Sequence, residues 1–130
     1  VDHFKAVNDA GGHQAGDRLL RDLANVMAKE LRGGDDLFRV GGDEFAAVLV
    51  GISDGDQAFE VAERVRLAAH RTGSSVSIGI ATSLGEDLDC DELFRRADAA
   101  LYRAKGSGRD ASVLWEPPLP ASTDSRLATR

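Results

Sequence analysis

The chain has 130 residues, 42% of them apolar and 29% charged, with a net charge of -6. That length and balance describe one folded domain with its own core and exclude a disordered chain. The acidic balance argues against a general nucleic-acid binder, which carries a basic face, and a single cysteine, Cys90, cannot close an internal disulfide, so a reducing cytoplasm is expected.

No apolar run approaches membrane-spanning length and no signal peptide is visible, so no membrane contact by this chain is expected. It opens on Val1 rather than Met, which predicts a piece of something longer. Phe4 and Val7 sit at helical spacing and predict a short helix over Phe4–Asp9, followed by a loop through Gly11, Gly12 and Gly16. Leu20, Leu23, Met27 and Leu31 recur at three- and four-residue steps, predicting a helix from Asp17 to Arg32 that Gly33 and Gly34 end. Leu37–Val40 and Phe45–Val50 are β-rich and flank "GGDE", a hairpin signature. A helix over Asp56–Arg71 carries Val61, Val65 and Ala68 on one stripe, and "SSVSIGIAT" alternates as a strand over Ser74–Thr82. Leu93, Ala97, Ala100, Leu101 and Ala104 mark a further amphipathic helix ending near Lys105. Val113–Trp115 reads as a last short strand, and "EPPLPASTDSR" as a linker. Helices and strands interleave around one hairpin, which favours an α+β fold with an antiparallel or mixed sheet covered by helices.

The bare, acidic "RVGGDEF" between two apolar runs has an ordinary explanation, since Gly-Gly and Asp are common turn residues. The rest of the chain tests that explanation. "VDHFKAVND", "GHQAGD", "RGGD", "RVGGDEF", "SVSIGIA" and "RADAALYRAKGSGR" occur in this order from Val1 to about Arg109. Together they resemble the GGDEF domain of bacterial diguanylate cyclases. The resemblance implies a central, mostly antiparallel sheet in a nucleotide-cyclase, ferredoxin-like palm, with the hairpin carrying GGDEF at its tip. Residues 1–115 would form the domain, its N-terminal strand truncated, and 116–130 a linker or disordered tail.

The activity implied is condensation of two GTP molecules into cyclic di-GMP with release of pyrophosphate, across a homodimer in which each domain holds one nucleotide. Asp43 and Glu44 match the family's metal-binding and catalytic acids, and the backbone carbonyl of Val1 would join them on Mg²⁺ or Mn²⁺. Hard oxygen ligands suit such cations on a triphosphate. Gly41 and Gly42 carry no side chains, so a nucleotide can approach the backbone.

Guanine presents two donor sites and an acceptor, which a carboxylate and an amide complement; Asp17 and Asn8 match the family's base-reading positions. Helix-terminal roles account for the same two residues. The N–H groups around His3, Phe4 and Lys5 open a short helix and suit phosphate, and Lys105 and Arg109 match family phosphate ligands. Asp2 is expected to cap the short helix, His13 to order the glycine loop and Arg39 to be structural.

"RGGD", Arg32 to Asp35, lies where the family forms an inhibitory site for cyclic di-GMP. Arg forks a phosphate or stacks on guanine and Asp accepts from its edge, although a helix-terminal Arg and a turn Asp give the same pattern.

Three features depart from the family pattern. A further metal-binding aspartate stands in the family just before the position of Val1, in a strand this sequence lacks. Gly11 replaces a bulkier residue and is expected to loosen its loop, and Asp110 replaces a frequent Asn. The tail, "WEPPL" and then "SRLATR", resembles the lead-in to a C-terminal phosphodiesterase EAL domain, with a plain disordered end as the alternative. An enzyme is therefore expected first. A catalytically silent domain that binds GTP or cyclic di-GMP to regulate an attached module comes second, and a plain dimerisation domain last.

Overall fold

In the computed structural model of the chain, which describes residues 1–117, the first element is a helix, α1, Phe4–Ala28. Gly12 interrupts it with φ 80° and ψ 176°, a conformation open to a residue without a Cβ. The expected short helix is present, but the expected loop is not: the backbone is helical on both sides of Gly12. Gly11 does not loosen this stretch either. A Cβ there would lie 2.7 Å from that of Ala15, so the two small residues pack closely.

Beyond the kink Leu19, Leu20, Leu23 and Met27 are buried, the stripe that helical spacing demands of a core-facing helix. α1 stops at Ala28 rather than Arg32, because Glu30 and Leu31 donate to carbonyls three residues back and tighten the chain out of α-geometry.

Two strands follow, β1 (Asp36–Arg39) and β2 (Phe45–Val48), paired antiparallel with Leu37 opposite Ala47 and Arg39 opposite Phe45. Alternation turns Leu37 and Phe45 to the core and leaves Phe38 and Val48 half exposed. β2 ends two residues before the expected Val50, whose N–H donates instead to the Asp35 carboxylate at 3.0 Å.

Helix α2, Gly55–Ala69, starts at Asp54, whose carboxylate accepts from the Gln57 N–H at 2.8 Å. It closes through a single 3₁₀ turn, His70–Thr72, and Gly73 at φ 82°. Strand β3 is short, Ile78–Ile80, against the expected Ser74–Thr82. The residues before it serve another purpose: Ser75 and Ser77 bind the N-terminal segment. Helix α3, Cys90–Gly106, is capped by Asp89, carries Asp91 and Glu92 in its first turn and Arg103 and Lys105 in its last, and so matches its own dipole. It crosses to β4, Ser112–Leu114, which pairs parallel with β3.

Gly79 lets α3 lie directly on β3, since a Cβ there would overlap the Ala97 carbonyl and the Leu101 backbone nitrogen. The α+β architecture expected from the interleaved pattern is therefore present, with its ladders divided between the antiparallel hairpin and the parallel β3–β4 pair. One core cluster joins α1 to the end of α2 through Leu19, Leu23, Met27, Ala69 and Val76; a second sets Ala58 and Ala62 against Ile80. No helix among the described residues is long and apolar enough to cross a membrane. Most of the expected 116–130 linker, with the EAL-like lead-in, lies outside the described residues.

Candidate functional site

The hairpin between β1 and β2 is shaped from within. Val40 and Gly41 donate their N–H groups to the Glu44 carbonyl, at 3.0 and 3.4 Å, and close the turn. The Arg39 guanidinium then reaches over it, Nε to the Gly41 carbonyl at 3.2 Å and Nη2 to the Gly42 carbonyl at 2.8 Å. Arg39 is structural, as expected, in a specific way: it collects the two carbonyls of the bare turn. An Arg two residues before Gly-Gly was the available signal for this.

Asp43 and Glu44 follow this clamp. Glu44 is exposed and Asp43 half-buried, and among the described residues neither carboxylate accepts a hydrogen bond or pairs with a cation. The Val1 backbone nitrogen donates to the Asp43 carbonyl at 2.8 Å. The start of the chain thus lies against the hairpin tip at Asp43.

Among the described residues no three His, Cys, Asp or Glu side chains form a metal-binding group. Two neighbouring carboxylates still suit Mg²⁺, which binds through one or two carboxylates and fills its remaining positions with water and phosphate oxygens.

The N-terminus of α1 is open. His3, in left-handed conformation at φ 55°, provides no side-chain cap, and no acid occupies the first turn. The Phe4 and Lys5 N–H groups have no protein acceptor among the described residues, while Ala6 and Val7 donate to the His3 carbonyl. Asp2 does not cap this helix, contrary to expectation. It is 4% exposed and accepts from Ser75 Oγ at 2.7 Å, Ser77 Oγ at 2.6 Å and the Asp110 N–H at 3.0 Å. Burial works against its charge, but these donors outweigh burial and hold it below the usual carboxylate range.

The kink brings Gly16, the neighbour of Asp17, against Asn8. A side chain at Gly16 would overlap Asn8 Oδ1 and crowd Phe4, so the second limb of α1 lies against the first there. Asn8 Oδ1 is buried with no hydrogen-bond partner. An orphaned buried acceptor carries a desolvation cost until a donor reaches it. Asp17 is exposed and lines a shallow depression of about 250 Å³ with Gln14, Arg18 and Arg21. Gly16 was missed as a site element, because its contact with Asn8 depends on the kink and has no local signal. His13 is exposed and makes no hydrogen bond among the described residues, so it orders no loop.

Arg109, at φ 64°, lies just beyond α3. Arg32 and Asp35 meet each other: Asp35 accepts from the N–H groups of Arg32 and Val50, and Arg32 Nη2 donates to the Val50 carbonyl at 2.8 Å. The Val50 and Arg32 N–H groups keep Asp35 below the usual carboxylate range. A depression of about 590 Å³ lies elsewhere, between the α1 N-terminus, His70 and Asp110. It includes none of Asp43, Glu44, Asn8 or Asp17, so its size does not mark the acid site.

Comparisons with known proteins agree on a family. Residues 1–111 match the family described as "Diguanylate cyclase, GGDEF domain". A probable diguanylate cyclase of Escherichia coli K12, DgcT, is 39% identical over 125 residues, covering 88% of this chain and 27% of that protein. MucR of Pseudomonas aeruginosa, a bifunctional diguanylate cyclase/cyclic di-GMP phosphodiesterase, is 35% identical over 98% of this chain and 20% of its own length. This chain thus spans about a quarter or less of either relative. The solved GGDEF domain of TpbB (YfiN) from Pseudomonas aeruginosa is 33% identical and superposes with a TM-score of 0.80, covering 99% of this chain and 77% of that one. The chain belongs to the diguanylate cyclase GGDEF-domain family.

Proposed function

We propose that residues 1–115 form a diguanylate cyclase domain that binds one GTP with a divalent cation and acts when two copies face each other. The observation that carries this reading is the pair of unengaged carboxylates, Asp43 and Glu44, on a turn whose backbone Arg39 and Val1 hold. A solvated turn would not need the clamp.

In this reading the orphaned Asn8 Oδ1 and the Asp17 carboxylate accept from the guanine N1–H and N2–H₂ donors. The free N–H groups of Phe4 and Lys5, with Lys105 and Arg109, hold the phosphates. Gly41 and Gly42 leave the nucleotide room at the tip. Mg²⁺ or Mn²⁺ would be held by Asp43, Glu44 and the Val1 carbonyl, and would neutralise charge on the departing pyrophosphate. Glu44, free of protein partners, takes the proton of the attacking 3′-hydroxyl. The 3′-oxygen of one nucleotide bonds to the α-phosphorus of the other, the α–β bridge breaks, and pyrophosphate leaves. The second copy repeats the step in the opposite sense and closes the ring.

Arg32, half exposed and steadied by Asp35, suits a phosphate of the product and supports an inhibitory site there. That MucR is a bifunctional diguanylate cyclase/cyclic di-GMP phosphodiesterase supports the reading in which a phosphodiesterase domain accompanies this one in the protein as encoded.

The test is incubation of the protein as encoded with GTP and Mg²⁺, with chromatography of the products. Cyclic di-GMP should form at a rate rising faster than linearly with protein wherever the dimer is incomplete. Bound GTP without cyclic product would leave only the silent, regulatory reading. A strictly linear rate across a range where the protein is monomeric would remove the dimer.

A further inference from the structure

Arg109 and Asp110 both have left-handed backbone, φ 64° and 46°, following Gly108 at φ 112°. Residues with a Cβ avoid this region, and consecutive ones hold it only when their surroundings over-determine it. Here the restraints can be named. The Arg109 N–H donates to the Ala104 carbonyl at 3.1 Å and folds the chain back over the end of α3. The Asp110 N–H donates to the buried Asp2 carboxylate at 3.0 Å. The Asp110 carboxylate accepts from Arg66 Nη1 at 3.0 Å and meets His70 Nε2 at 2.9 Å, both at the end of α2. Arg66 is itself fixed by two bonds to Glu63, at 2.7 and 2.8 Å.

From this clasp we infer that Asp110 is a positioning residue, which fixes the Arg109 backbone so that its guanidinium meets the nucleotide phosphates. The inference rests on the proposed GTP reading. The clasp joins three elements on which that reading depends. Asp2 precedes the open α1 N-terminus by two residues, Asp110 follows Arg109, and Arg66 and His70 anchor both to α2. Asp also suits the conformation, since Asn and Asp tolerate left-handed backbone better than other residues with a Cβ. An Asn there would keep one acceptor for Arg66 but lose the charge.

The experiment is GTP binding by calorimetry on the protein as encoded, in a cycle of Asp110→Ala, Arg109→Ala and the double variant, with Asp110→Asn as the conservative control. Arg109→Ala and Asp110→Ala should each weaken GTP binding about tenfold, the scale for losing one charge-assisted phosphate contact. The double variant should be no weaker than Arg109→Ala alone, because Asp110 acts through Arg109. Asp110→Asn should recover most of the affinity. Guanosine, which lacks phosphates, should bind all four proteins equally. Should Asp110→Ala fail to fold, Arg66→Gln loosens the same clasp from α2 and should reproduce the loss.

The two ideas fail separately. If Arg109→Ala weakens GTP binding while Asp110→Ala and Arg66→Gln leave it intact, or if the losses add, the clasp inference is overturned. If Arg109→Ala has no effect, or the unaltered protein does not bind GTP, the phosphate role falls and the inference with it.

Discussion

Asp2 and Asp43 both border Val1, yet their carboxylates are in opposite circumstances. Asp2 is buried and accepts three hydrogen bonds from Ser75, Ser77 and Asp110; Asp43 and its neighbour Glu44 accept none among the described residues. The backbone around the second pair is as carefully held as the side chain of the first, by Arg39 on two carbonyls and by the Val1 backbone nitrogen on a third. A satisfied acid stabilises the fold and has nothing left to offer a ligand. An unsatisfied acid on a fixed backbone keeps its lone pairs available. What separates the two acids is therefore hydrogen-bond accounting rather than residue type.

Exchanging charge for amide at each place should divide the effects cleanly. Glu44→Gln should lower turnover in the protein as encoded by roughly 10²- to 10⁴-fold, with GTP affinity and melting temperature little changed; product chromatography, calorimetry and thermal melts measure the three. A large fall in melting temperature would mean that Glu44 is structural after all. Asp2→Ala should do the reverse and cost about 2–4 kcal/mol of stability, since it strands two hydroxyls and an amide around a cavity. Urea unfolding reads that value, and a loss below about 0.5 kcal/mol would show that water replaces the carboxylate.

Arg32 and Asp35 lie between the extremes, with Asp35 satisfied and Arg32 partly free. Arg32→Ala should weaken cyclic di-GMP binding about tenfold and relieve product inhibition without altering GTP affinity. Unchanged product affinity in calorimetry would remove the inhibitory site.

The smallest effect is that of pH. Asp2 and Asp110 are held below the usual carboxylate range, in both cases by hydrogen bonds that outweigh burial; for Asp110 the donors are His70 and Arg66. A depressed folded value contributes stability that is complete above the unfolded value, about 3.9, and lost as pH falls through the folded one. Urea midpoints should therefore fall below about pH 4, and Asp2→Asn with Asp110→Asn should flatten that decline. An equally steep decline in the double variant would assign the acid sensitivity to other carboxylates.

The periodicity of Leu20, Leu23 and Met27, the hairpin around "GGDE" and the Asp54 and Asp89 caps depend on neighbours a few residues away. For that reason the sequence alone located the core stripe of α1, the helices α2 and α3, the hairpin and the acidic tip, although it read a loop through Gly11, Gly12 and Gly16 and ran the helix on to Arg32. The six ordered motifs also made the family legible. What sequence could not decide was where each side chain spends its hydrogen bonds. Asp2 looks like a helix cap in one dimension, yet its partners are Ser75, Ser77 and Asp110, 73, 75 and 108 residues away. Likewise nothing local foretold that one kink at Gly12 would set Gly16 against Asn8, or that Arg66 and His70 would hold Asp110. Local pattern specifies elements because backbone preferences are short-range; only the folded chain brings distant donors and acceptors together, and that pairing determines which carboxylates are consumed and which stay free.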